Sequence, residues 1–246
     1  MDPVKSQLKA QFAAIGYDYK EIKVSRLIAS FSKVNLKGQP EDLRIKYLMN
    51  AGDKIRETVS NGDGVTTLVV NEIRRLRAAT VEDEKTLEGF KGSTLFLIDS
   101  LKSPSEITAL DSCYARNYYT ISVYSPENIR KDRLSKLIAK SRRQAVAHHH
   151  IECAEGIMKQ DEGRKPVKLS QDVLGAFPRG EFFIRSDGDV SGQLKRFVEL
   201  IFGNPFITPT QDEHFMNLAR TASLRSADLS RQVGAVIVDE RGAVIS

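Results

Sequence analysis

Hydrophobic positions along this chain switch repeatedly between a helical spacing of three to four residues and the alternation or short apolar runs of strands. Val4 to Ile15 has the helical spacing and stops at Gly16. Tyr17 to Ser25 then predicts a strand, with Tyr17, Tyr19, Ile22 and Val24 apolar and the alternation broken at Glu21. Leu43, Tyr47, Leu48, Ala51 and Ile55 predict a helix, and Val65, Leu68, Val69, Ile73 and Leu76 a second one after the turn Asn61-Gly62-Asp63-Gly64. Ser93 to Asp99 is an apolar run ending in an acid, the composition of a strand buried on both faces. Ser103-Pro104-Ser105-Glu106 predicts a capping box with proline at the first helical position, so a helix follows at once.

Tyr118 to Tyr124 predicts another strand, and Ser125-Pro126 opens a helix carrying Arg130, Arg133, Lys136, Lys140 and Arg143. After a polar stretch, Glu181 to Arg185 reads as a short strand and Gln193 to Phe202 as an apolar-faced helix. Gly203-Asn204-Pro205 breaks that helix. Thr208-Pro209-Thr210-Gln211 then supplies an N-cap, a proline at N1 and a glutamine at N3 for the next. Phe215, Leu218, Ala219 and Ala222 share a helical face, followed by a strand over Val233 to Val238 and a turn over Asp239 to Gly242. This order predicts an α/β layer fold with a largely parallel sheet over residues 1–202 and a second domain beginning at 203–246.

A chain of 246 residues with 41% hydrophobic content is long enough to bury a core, and a net charge of +5 with both signs interspersed permits nucleotide or nucleic-acid partners without demanding them. Two cysteines, Cys113 and Cys153, build neither a disulfide framework nor a four-thiolate metal site, which fits a reducing cytoplasm. No apolar run approaches the ~20 residues of a membrane-spanning helix, so no membrane partner is expected.

The stretch from Gly203 to Ser246 carries several unlike residues at fixed spacing: an amphipathic helix ending in Arg225-Ser226, a short polar connection, then Val233-Gly234-Ala235-Val236-Ile237-Val238. That order resembles the opening helix and first hairpin of deoxycytidylate deaminases. By this resemblance Arg225, Ser226, Ser230 and Arg231 border the substrate pocket, where guanidinium and hydroxyl groups meet sugar or phosphate; without it, they are a helix terminus with favourable C-terminal cations. The zinc-binding residues of such deaminases follow the hairpin, and this sequence contains none after Ser246, so no catalytic or metal-binding residue is assigned. His150-Ile151-Glu152, with His148, His149 and Cys153, formally satisfies His-x-Glu. It precedes the hairpin and lacks a following Pro-Cys-x-x-Cys, and we read it as a coincidence.

The strand ending in Asp99 resembles a Walker-B strand, whose carboxylate helps hold the magnesium of a nucleoside triphosphate. The helix after the next strand then matches the arginine-bearing lid of nucleotide kinases. Asp99, Arg130, Arg133 and Arg143 are therefore the candidate Mg-NTP-binding residues, a buried strand end and a solvated helix face being the alternative. No Gly-x-x-x-x-Gly-Lys-Ser/Thr loop occurs, although Val4 to Ile15 resembles the helix that follows one. Together with Leu97 to Pro104, Val123 to Pro126 and Phe202 to Pro209, these features resemble the bacterial anti-phage dCTP deaminases, in an apparently doubly truncated form. The resemblance implies a P-loop nucleotide-kinase-like sheet flanked by helices, then the start of a cytidine-deaminase-like domain. It also implies zinc-dependent deamination of dCTP and dCMP, homo-oligomers, and a chain inactive as it stands. A nucleotide-kinase-like or NTP-sensing module without deaminase activity is the alternative. A nucleic-acid module built on Arg130 to Arg143 ranks below both, because no aromatic residues interleave those cations.

Overall fold

The computed structural model describes residues 2–59, 62–79, 93–163 and 170–245. The chain is mixed α/β and divides into two compact units, Met1–Lys195 and Arg196–Ser246. Asn61 of the predicted turn lies outside the described residues.

The first unit opens with α1 (Asp2–Ala14), whose Val4, Leu8 and Phe12 are buried at the expected helical spacing. Gly16, at φ +82, turns the chain into β1 (Asp18–Lys23). The predicted strand continued to Ser25, but Val24 already opens α2 (Val24–Phe31), which buries Val24 and Ile28. The helices α3 (Glu41–Val59) and α4 (Gly64–Ala78) occur where the spacing placed them. On α3 the buried face is rotated from the predicted one: Leu43 and Tyr47 are exposed, whereas Leu48, Met49, Gly52 and Ile55 are buried. Two apolar clusters flank this helix, one holding Leu48 and Ile55 and the other Met49, so the burial stripe is set by its neighbours.

β2 (Thr94–Asp99) pairs in parallel with β1, from Asp18 opposite Thr94 to Lys23 opposite Asp99. Burial on both faces was expected for β2, yet every residue in it is only half-buried; among the described residues it has one strand neighbour and not two. α5 (Pro104–Tyr114), β3 (Ile121–Tyr124) and α6 (Glu127–Ser141) follow in the predicted order. α7 (His148–Asp161) occupies the stretch read as merely polar, and the short α8 (Val173–Ala176) precedes β4 (Phe182–Arg185). β3 and β4 form a second parallel pair, Ile121 opposite Phe182 through Tyr124 opposite Arg185. Where the sequence predicted a single parallel sheet, the strands among the described residues form two separate two-stranded parallel sheets.

The main core joins Ile22, Ile28, Ile55, Val65, Val69 and Leu110, each from a different turn of strand or helix. A second core of Met49, Ile138, Ala154 and Ile157 joins α3, α6 and α7. The division between the two units falls within α9 (Val190–Ile201), a few residues before the boundary expected near Gly203.

The second unit carries α10 (Gln211–Ser223). Its N-cap is Thr210, whose hydroxyl accepts from the Glu213 N–H at 3.3 Å, while the Glu213 carboxylate accepts from the Thr210 N–H at 2.7 Å. The cap expected at Thr208 is displaced by two residues because Glu213, a better return acceptor than Gln211, sits three after Thr210 and closes the capping box. Phe215, Leu218 and Ala219 are half-buried as predicted, but Ala222 is exposed. Val233 to Val238, expected as a strand, is irregular apart from one antiparallel bridge between Val238 and Val244. The turn at Asp239 does form, with the Asp239 side chain accepting from the Arg241 and Ala243 N–H groups. A lone hairpin lacks the lateral partners that regular strands need.

Candidate functional site

Side chains with chemistry collect at the carboxyl ends of β1 and β2, the position where open parallel sheets receive ligands. A cleft of about 180 Å³ opens there. Val24, Ile28, Leu48 and Met49 give it an apolar wall, and Arg44, Asp99, Lys102 and Gln171 supply polar groups. Asp99 is the last residue of β2 and pairs closely with Lys5 of α1, which also reaches Glu21 at 2.9 Å. Burial works against the charge of Lys5, but its hydrogen bonds to Asp99 and Glu21 outweigh that and hold its pKa above the usual lysine value. The carboxylate proposed to approach magnesium is therefore already neutralised by an ammonium group.

Beneath the cleft, Arg56 is buried with two acidic partners. Its Nε and Nη2 donate to Glu106 Oε1 at 3.1 and 2.5 Å, and its Nη1 donates to Asp53 Oδ1 at 3.0 Å. Glu106 was expected to close a capping box on Ser103. Its carboxylate instead accepts from the Lys102 N–H at 2.8 Å, leaving only the Ser103 hydroxyl to cap α5 by accepting from Ser105. The reason is competition, since a buried guanidinium is the stronger partner for that carboxylate. Burial pushes the Asp53 carboxyl up from its ordinary range, against the pull of Arg56 and of the Gln171 N–H that it accepts.

The arginines of α6 do not join Asp99; none of Arg130, Arg133 and Arg143 lines the cleft. Arg130 reaches Glu162 at 3.5 Å, and Lys131 and Lys136 pair with Glu155 and Asp132. Arg143 lies beyond the end of the helix, at φ +55, so it does not share the face on which Arg133 and Lys140 are exposed.

The histidine cluster is structural. His150 is buried at the start of α7, where its Nδ1 accepts from the Ala147 N–H at 3.0 Å and its Nε2 faces Gln144 Oε1 at 3.1 Å, which assigns the proton to Nε2. Burial, then the neighbouring His149 and Arg142, lowers its pKa below the usual histidine value. Cys153 Sγ donates to Asp42 Oδ2 at 3.8 Å, and Arg142 grips the same carboxylate with two hydrogen bonds. Burial tends to raise the Asp42 pKa, but Arg142 holds it below the ordinary range. With both His150 nitrogens and the Cys153 thiol engaged, these residues do not fit a zinc ion. No group of three or more His, Cys, Asp and Glu among the described residues is placed to hold a metal.

In the second unit, Arg225, Ser226, Ser230 and Arg231 lie on the connection between α10 and the hairpin, as the sequence placed them. Sequence reading missed the residue that organises this connection. Asp228 Oδ1 accepts from the Ser230 N–H at 2.7 Å, the Ser230 hydroxyl at 2.8 Å and the Arg231 N–H at 3.1 Å, which lowers its pKa. An Asp two residues before Ser is the signal of such an Asx turn. Arg225 and Arg231 remain exposed. Gly234 brings the chain against α10: a Cβ there would collide with the Ala219 carbonyl oxygen and the Ser223 amide. No helix among the described residues is long and apolar enough to cross a membrane. Comparison with models of known protein families, with characterised proteins and with solved structures finds no match.

Proposed function

We propose that this chain belongs to a cytoplasmic, homo-oligomeric nucleotide-depletion system of the anti-phage dCTP deaminase type. The second unit then forms one wall of a pocket for deoxycytidine nucleotides, and the first unit, related to P-loop kinases, regulates it. The supporting observation is the local architecture of the second unit. A capped helix, an Asp228-ordered polar loop with two exposed arginines, and a hairpin held against the helix at Gly234 follow one another in the order the resemblance requires. A loop whose backbone is held by Asp228 and which presents two exposed guanidinium groups is suited to a phosphate-bearing ligand. No group of three or more His, Cys, Asp and Glu among the described residues is placed to hold a metal, so the contribution proposed for this unit is binding.

Isothermal titration of the purified chain tests this. Saturable binding of dCMP and dCTP, weakened about fivefold to tenfold by Arg231→Ala, is expected, with no ammonia released. Absence of any binding, or affinity indifferent to Arg225 and Arg231, contradicts the reading. A second reading, an NTP-sensing module without deaminase kinship, is favoured by the cleft at the carboxyl ends of β1 and β2. It requires binding of nucleoside triphosphates that survives loss of both loop arginines and fails on Asp99→Asn.

A further inference from the structure

One strongly charged surface belongs neither to the cleft nor to the second unit. Residues 127–149, from the start of α6 to the exposed histidines, hold seven Lys and Arg against two acidic residues, Glu127 and Asp132. That local excess of five equals the net charge of the whole chain, +5, so the remaining residues balance and the excess is concentrated on this element.

Burial sorts these cations into two sets. α6 buries Ser135, Ile138 and Ala139. At about 100° per residue, Arg133, Lys136 and Lys140 project from the opposite side, and all three are exposed. Arg130 and Lys131 turn instead toward α7, where Glu162 and Glu155 take them up. On the outward side Lys136 reaches Asp132 at 2.7 Å, but the two side chains are 64% and 55% exposed, and such a pair is readily replaced by another anion. Among the described residues Arg133 and Lys140 have no acidic partner. The three cations span about 10 Å of helix at about 1.5 Å per residue.

Charge alone fits any anion, and the composition of the face narrows the choice. α6 carries no aromatic side chain, so it offers no platform for the unstacked bases of a single strand. Leu137 is the one large apolar residue exposed on the helix, too little to insert into a lipid surface. A nucleic-acid duplex needs neither. It presents a phosphate charge about every 1.7 Å of its axis, so a row of cations about 10 Å long meets several at once. We propose that the outward face of α6 binds the phosphate backbone of a nucleic-acid duplex through Arg133, Lys136 and Lys140, without reading its sequence. This surface is independent of the nucleotide pocket proposed for the second unit.

The test is fluorescence anisotropy of labelled DNA and RNA duplexes of one sequence, titrated with the full chain over a series of salt concentrations. Three phosphate contacts give a slope of log affinity against log salt of about −2.7. Arg133→Glu with Lys140→Glu weakens binding at least about tenfold and brings the slope to about −0.9. Lys20→Glu with Arg74→Glu makes the same change in net charge at exposed positions outside α6 and leaves the affinity within about twofold. Circular dichroism verifies that both variants are folded. Binding of either duplex in this pattern supports the proposal, and the tighter of the two names the source. Equal weakening by the two double variants makes the binding a property of net charge and overturns the assignment to α6. Absence of duplex binding at low salt overturns it too, as does tighter binding to phosphatidylserine vesicles or to a single strand of the same sequence. None of these outcomes bears on the deaminase reading, which the dCMP and dCTP titration decides.

Discussion

Replacing Glu106 with alanine removes the main counter-charge of a guanidinium that is 2% exposed. Two hydrogen bonds from Arg56 are lost, at 3.1 and 2.5 Å, and the Lys102 N–H loses the acceptor it reaches at 2.8 Å. Only the Asp53 contact at 3.0 Å remains. Breaking a buried ion pair from one side costs about 3–5 kcal/mol, because the surviving charge is left desolvated. The residual Asp53 contact places Glu106→Ala near the lower end, about 3 kcal/mol. For a unit of this size that lowers the melting temperature by roughly 6–12 °C, at about 2–4 °C per kcal/mol. In urea the midpoint falls by about 1.5 M if the slope is about 2 kcal/mol/M. The control is the double variant Arg56→Met, Glu106→Leu, which removes that pair and fills similar volume; Asp53 then keeps only the Gln171 N–H, so the expected loss is smaller than that of Glu106→Ala without returning to the parent value. Urea unfolding followed by circular dichroism reads all three proteins. A Glu106→Ala loss below about 1 kcal/mol, or a double variant no better than the single one, refutes the assignment of this pair as a desolvated charge lock beneath the cleft.

Gly234→Ala drives a methyl group into the backbone of α10 and costs about 1–3 kcal/mol; hydrogen exchange at the Ile245 amide, which bonds to the Ile237 carbonyl, should accelerate accordingly. Thr210→Ala opens the capping box of α10 and costs about 1 kcal/mol, read as faster amide exchange in its first turn. His150 titrates below its unfolded value of about 6.5. On acidification the unfolded chain therefore binds the proton first, and stability falls as pH drops through about 6.5 toward the lowered folded value. The slope of melting temperature between pH 8 and 5 should be shallower in His150→Gln than in the parent; identical slopes would remove His150 from the account.

Local chemistry was legible where a short stretch of sequence decides the outcome. Gly16 ends α1, the spacing of Val65, Val69 and Ile73 places α4, and the polar loop after α10 lies where the Arg225-Ser226 pair put it. The misreadings came from tertiary competition. Glu106 left its cap for Arg56, fifty residues away, and the stripe on α3 rotated because two cores flank it. α7 was missed because the stretch read as merely polar: its buried positions are His150, Ala154 and Ile157, only two of them apolar. The cleft was illegible for a related reason: Arg44, Lys102 and Gln171 are distant in sequence, share no motif, and meet only once β1 and β2 pair. Val233 to Val238 has strand composition, but composition does not supply the neighbouring strand that a ladder requires.

The proposal that the second unit binds deoxycytidine nucleotides is tested most directly by hydrogen exchange of the whole chain with and without saturating dCMP. The account predicts slowed exchange across residues 224–245, centred on the Ser230 and Arg231 amides that Asp228 holds, and loss of that protection in Arg231→Ala. Unchanged exchange throughout that segment under saturating nucleotide would contradict it.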